Sequence, residues 1–252
     1  MIRLVPPPSP RLLAGLRLSL LAGLVAAPLS AGEIVTDRDA HVFGGARPIH
    51  DKAALPAQES NFGASRHLEL KTTPGKGDGF TRKAYLSFDL SGLPRLPAED
   101  GALSLRLVVR QLSVGAGGDT VLTEQPLVLY LLKESAEGED WVEGSGRPDR
   151  IEHGLATGSI HWLNAPANAP MLGNRVSSRD AIEAGRIVVP NDARDGTTIL
   201  IPIHSAALAD LNSRRRPARA TFILAIADGT DDLLRIHSRE STLSARRPAL
   251  VW

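Results

Sequence analysis

Arginines, carboxylates and a few aromatic rings are the side chains of this chain best suited to chemistry, because among its 252 residues there is no cysteine. Thiol nucleophiles and cysteine zinc sites are therefore excluded. The seven histidines are scattered and form no His-Glu-x-x-His run that would place two of them on one helix face. Gly144-Ser145-Gly146 lacks the framing residues of a nucleophile elbow. Glu137, Glu139, Asp140 and Glu143 crowd one segment. A pair of carboxylates is the minimum for glycoside hydrolysis, yet without a second feature the cluster reads as an acidic loop. The residue types point to binding rather than to catalysis.

Two alternating segments supply the binding candidates. Along residues 82–90, Ala84, Leu86, Phe88 and Leu90 share one face of a strand and leave Lys83 and Tyr85 on the other. Leu103, Leu105, Leu107 and Val109 alternate in the same way with Ser104, Arg106, Val108 and Arg110. Lys83, Arg106 and Arg110 are thus expected outside, with Arg235 on a neighbouring strand. Guanidinium forks match carboxylates bidentately, so this row suits the uronates of an acidic polysaccharide, with Tyr85 placed to stack on a sugar ring. The plainer account is a solvated face whose charges discourage edge pairing. Trp141 and Trp162 read as plugs of the interior.

Asp37, Asp39, Asn61 and Asp89 offer side-chain oxygens of the kind a structural calcium ion takes, although such residues also cap turns. Arg82 shares the inward parity of Leu86, and Glu240 that of Ile236. An unpaired buried charge costs several kcal/mol, so the spacing predicts a structural ion pair between Arg82 and Glu240.

The elements that must position these groups are strands. Period-two patterning or short apolar runs mark 39–43, 67–71, 82–90, 103–110, 127–132, 186–189, 198–203, 222–226, 233–237 and 249–252. A single helix is expected over 205–211, capped by Ser205. Long connections fall at 48–65, 75–79, 115–125 and 136–171. This is the pattern of an all-β, antiparallel jelly-roll β-sandwich with one short helix.

Arg3, Arg11 and Arg17 precede an apolar run over 18–27, and Leu29-Ser30-Ala31 ends on a small residue. Residues 1–31 therefore read as a signal peptide, leaving 32–252 as one domain that is secreted or periplasmic. The apolar run is too short for a membrane span. Without residues 1–31 the chain has 26 Lys+Arg against 28 Asp+Glu, a balance that gives no basic footprint for nucleic acid.

Four segments, taken in order, resemble the DNRLRE-domain proteins, the group related to carbohydrate-binding module family 96. They are Asp39-Ala40-His41-Val42 with Asn61-Phe62-Gly63; Arg82 through Ser91; Asp140-Trp141-Val142-Glu143-Gly144 with Ile160-His161-Trp162-Leu163-Asn164-Ala165-Pro166; and Ile236-His237-Ser238-Arg239-Glu240-Ser241 with Arg247-Pro248-Ala249-Leu250-Val251. The resemblance implies an extracellular jelly roll that serves as an accessory to polysaccharide enzymes or as part of a surface protein. It raises structural calcium as an expectation. The loops at 115–125 and 144–158 are longer than the family pattern. Expected partners are a polysaccharide or, in a structural or assembly role, proteins of the cell surface.

Overall fold

Alternation of apolar and polar side chains, sustained through most of the chain, produces two antiparallel sheets packed face to face. The computed structural model describes residues 32–49, 55–73, 79–97, 99–114, 122–147, 158–215, 218–227 and 231–252. The expected signal peptide lies outside the described residues, as do parts of the expected loops.

The first sheet joins β1 (Glu33–Val35), β3 (His67–Leu70), β5 (Ser104–Ser113), β8 (Thr198–Pro202), β10 (Leu233–His237) and β11 (Ala249–Val251). Its strand order is β1-β11-β5-β10-β3, with β8 paired to β5. The second sheet runs β2-β4-β9-β6-β7, from β2 (Arg38–Phe43), β4 (Arg82–Asp89), β6 (Gln125–Leu132), β7 (Ala181–Val189) and β9 (Arg219–Ile226). All but two of the connections pass from one sheet to the other, which is the alternation expected of a jelly roll. At one corner the sheets touch, where Arg82 of β4 bridges to Lys71 just beyond β3.

The inner faces form the main core. Ala84, Leu86 and Phe88 of β4 and Ala220, Phe222, Leu224 and Ile226 of β9 meet Leu105, Leu107 and Val109 of β5 and Leu234 and Ile236 of β10. The Phe88 and Phe222 rings pack edge to face, 5.8 Å apart. The helix α1 (Ser205–Ser213) adds Ala207, Leu208 and Leu211 to this core. Its start differs from the sequence expectation. Ser205 is the first helical residue rather than the cap, and its N–H donates to Asp100 Oδ1 at 2.6 Å, so the cap comes from a distant segment.

A second apolar layer lies on the other face of the second sheet. Residues 133–180 connect β6 to β7, and their described parts fold back over the sheet they leave. Trp141, Ile160, Trp162 and Ala165 of this insertion pack on Ala40 and Val42 of β2, Tyr85 of β4 and Ile223 of β9. A third cluster, Phe43, Ala57 and Phe62, forms where residues 55–63 close over β2.

Phe222→Ala should lower the unfolding free energy by about 3–5 kcal/mol in a denaturant titration. A loss under about 1 kcal/mol would show that the two inner faces do not share this core.

Candidate functional site

Lys83 and Tyr85 do project from the outer face of the second sheet, but the insertion covers that face and both are fully buried. This corrects the expectation that they meet solvent. Alternation along a strand identifies the face a side chain takes, not what lies on it. The Tyr85 ring packs edge-on to Trp141 at 6.4 Å, and its hydroxyl has no hydrogen-bond partner. Burial pushes the Tyr85 phenol far above its ordinary range. The Lys83 Nζ donates to Asn168 Oδ1 at 2.6 Å, to the Arg175 carbonyl at 2.6 Å and to the Gly173 carbonyl at 3.3 Å.

Arg106, Arg110 and Arg235 stand on the first sheet, so they share no face with Lys83 and Tyr85. Each already holds a carboxylate. Arg106 grips Glu33 with two bonds of 2.9 and 2.8 Å. Arg235 pairs with Glu69 at 2.8 Å and donates to Gln111. Arg110 lies 3.4 Å from Asp195, which also accepts from Arg246 and faces His237 Nε2 at 3.0 Å. The His237 bond, with Arg246 and Arg110, lowers the Asp195 carboxyl to about 2. The row expected as an open basic platform is a set of closed ion pairs.

The four oxygen ligands proposed for calcium have separate engagements. Asp37 pairs with Arg219, Asp39 Oδ2 accepts the Arg239 N–H, and Asp89 caps the turn at Ser91. Asn61 donates to the carbonyls of Glu143 and Ile160 and accepts from the N–H groups of Gly63 and Gly146. Among the described residues no group of three or more His, Asp or Glu side chains converges on a point.

The expected pair of Arg82 with Glu240 does not form either. Strand β10 ends at His237, so its parity does not extend to Glu240, which pairs with its neighbour Arg239 at 3.1 Å. Arg82 instead pairs with Glu69 at 3.1 Å and lies over the Phe43 ring at 4.0 Å. Burial opposes the charge on Glu69, but His67, His41, Arg82 and Arg235 together hold its carboxyl below the usual range. Next to it, burial lowers His41 to about 3, so this imidazole is neutral near neutral pH and stacks on Phe62 at 4.6 Å.

Sequence reasoning missed the network that fastens the insertion, although its acidic cluster was the signal. Glu139 pairs with the buried Arg214 at 2.9 Å, and Glu143 Oε1 accepts both the Asp39 N–H and Arg239 Nε at 2.7 Å. Arg38 donates to the carbonyls of Glu139 and Trp141 and lies over the Trp141 indole. Burial pushes the carboxyls of Asp39 and Glu143 up; the Glu143 charge raises Asp39 further, whereas the Asp39 N–H and Arg239 pull Glu143 back down. These are carboxyls of the kind enzymes use as general acids. Asp39 is closed from solvent, however, and Arg239 pairs with Glu143 at 2.7 Å.

An open concavity lies elsewhere, at the end of β2. Between Phe43, the Gly44–Pro48 turn, Ala57, Gln58, Gly79, Phe80 and Met171 is a hollow of about 440 Å³. Phe80 is 52% exposed and Met171 83% exposed. Both adopt left-handed backbone, with φ of 67° and 72°, a region that bulky side chains rarely enter. Such strain persists where surrounding contacts over-determine it, and it concentrates at functional sites. The rings of Phe43 and Phe80 lie 6.1 Å apart. Arg47, exposed at the rim, forms no ion pair with another described residue. Neither Asp39 nor Glu143 lines the hollow.

Compared with known proteins, the chain matches no family model and no curated protein.

A carboxyl that holds its proton more tightly folded than unfolded stabilises the fold only while protonated. That contribution is complete below the unfolded value near about 4 and is lost as pH climbs through the folded one. Asp39→Asn keeps an acceptor for the Arg239 N–H without the charge. Its stability relative to the unsubstituted protein should therefore rise between about pH 4 and neutrality, measured by thermal unfolding at stepped pH. A difference that stays constant over this range would mean that Asp39 does not titrate from its buried position.

Proposed function

We propose that the protein is a secreted or periplasmic, non-catalytic module that binds a polysaccharide in the hollow between Phe43, Phe80 and Met171. The observation that carries this reading is the pair of solvent-turned apolar side chains, Phe80 and Met171, held at strained backbone on two sides of one concavity. A hollow that is mostly apolar, with a few convergent polar groups, is the default form of a small-ligand site. A pyranose fits that chemistry, since its C–H face stacks on an aromatic ring while its hydroxyls need donors at the rim. Phe80 supplies the ring, and Gln58 and Arg47 supply the donors. The guanidinium of Arg47, which pairs with no described carboxylate, favours a sugar bearing a carboxylate. Arg106, Arg110 and Arg235 have no part in this reading, because each already pairs with a carboxylate of the same chain.

The resemblance to the DNRLRE-domain proteins supports the same conclusion, and export of the chain follows from the leader read in residues 1–31. Hydrolysis or elimination has less support, since the two perturbed carboxyls serve the network around Arg239 and do not reach the hollow. A second reading, a cell-surface assembly protein, draws on β8. This strand pairs only with β5 among the described residues and turns Leu200, 49% exposed, to solvent.

The test is retention of the purified protein on a panel of neutral and uronate-containing polysaccharides. Phe80→Ala should weaken binding about tenfold or more, the equivalent of about 1.4 kcal/mol. Arg47→Ala should weaken binding to uronate polymers selectively, and the Arg106→Ala/Arg110→Ala double variant should bind as the parent does. Retention that survives Phe80→Ala would rule out the hollow. Absence of retention on every glycan, together with self-association lost on Leu200→Lys, would favour the assembly role.

A further inference from the structure

Lys83 is fully buried, yet its ammonium is surrounded as a metal ion would be. Three acceptors among the described residues, Asn168 Oδ1 and the carbonyls of Gly173 and Arg175, come from one short segment that curls around the nitrogen. The Trp162 ring faces the ammonium with its centroid 4.7 Å away. Residues 168 and 176 pair as an antiparallel bridge, and the Ser177 N–H donates to the Ala167 carbonyl at 2.8 Å, so the segment closes on itself. Asn168 is fixed in turn by its Nδ2, which donates to the Trp162 carbonyl at 2.6 Å.

Oxygens converging on one buried point repel one another and need a cation or donors at the centre. Carbonyl and amide oxygens are the ligands by which hard cations order loops. An ammonium has three N–H groups, enough to reach all three of these acceptors, whereas a neutral amine has two. We infer that Lys83 is a tethered substitute for a structural metal ion, and that its ammonium orders residues 168–176 into a rigid loop. Met171 lies within this loop, so Lys83 also positions the Met171 wall of the hollow. That consequence rests on the reading of the hollow as a binding site; the cation cage does not.

Hydrogen exchange, followed segment by segment, tests the cage. In Lys83→Ala, exchange over 168–176 should speed up about tenfold or more, as expected when buried acceptors lose their donor. Exchange over β9 reports in the same sample whether the sandwich itself persists. Methylammonium chloride should restore protection and shift the Trp emission towards that of the parent. Choline chloride at the same concentration, too bulky for the cage, should do neither. Lys83→Met, which retains the bulk without the charge, should be as loose as Lys83→Ala and should not respond to methylammonium. Should both Lys83 variants fail to fold, Asn168→Ala removes one acceptor and should loosen 168–176 alone.

Full protection of 168–176 in Lys83→Met, or restoration of Lys83→Ala by choline as well as by methylammonium, would overturn the inference. Glycan binding by the same variants separates the two readings. Binding unchanged while 168–176 is loosened would overturn the hollow as the site and leave the cage standing. Unchanged exchange with lost binding would overturn the cage.

Discussion

The second sheet is apolar on both faces, and the rest of the structure answers that constraint. A sheet in a two-layer sandwich normally buries one face and wets the other. Here Ala40, Val42, Tyr85 and Ile223 extend the apolar surface outward, and leaving it in water would expose a large patch. The described parts of residues 133–180 cover it with two tryptophans. The molecule is therefore a sandwich with a third layer, and polar groups caught beneath that layer can be satisfied only inside the protein, as Lys83 and Trp141 are and the Tyr85 hydroxyl is not.

The partners explain where the charges went. Lys83 is buried by the added layer and satisfied by the layer's own oxygens. Trp141 Nε1 donates to Thr221 Oγ1 at 3.0 Å, so even the plugging indole makes the bond that its burial requires. At the rim, Glu139 meets Arg214 and Glu143 meets Arg239, tying the insertion to both neighbouring connections. On the first sheet, which has no such cover among the described residues, Arg235 pairs with the buried Glu69, and Arg110 and Arg106 pair with partly exposed carboxylates. Exposed pairs of this kind contribute about 0–1 kcal/mol each; their consequence is a neutralised face rather than stability.

The hollow follows from the same arrangement. The turn after β2, the entry to β4 and the tip of the insertion meet at one end of the second sheet, each holding its own backbone geometry, and their meeting leaves Phe80 and Met171 exposed. Ligand sites favour such junctions because loops of different origin can each place one group on a rigid scaffold. The aromatic ring and the guanidinium at the rim are thus held by elements whose positions are set elsewhere in the fold.

The ten strands expected from alternation all form, and β1 alone was not foreseen, because a three-residue strand gives no period to read. Period two is a property of the backbone, so the inward faces of β4, β5, β9 and β10 were legible residue by residue. The burial of Lys83 and Tyr85 was not legible. It depends on an insertion that begins more than forty residues later and carries no period of its own. The partners of Arg82, Arg106 and Glu143 were hidden for the same reason: ion pairs join residues far apart in the chain, and parity along one strand names a face without naming what approaches it. By itself the sequence determined the strands, their inward faces and the class of fold, all of which are local or repeat locally. Only the tertiary structure decided which charges are neutralised, which polar groups are enclosed and where a concavity remains open, because each of these is set by contacts between segments distant in sequence.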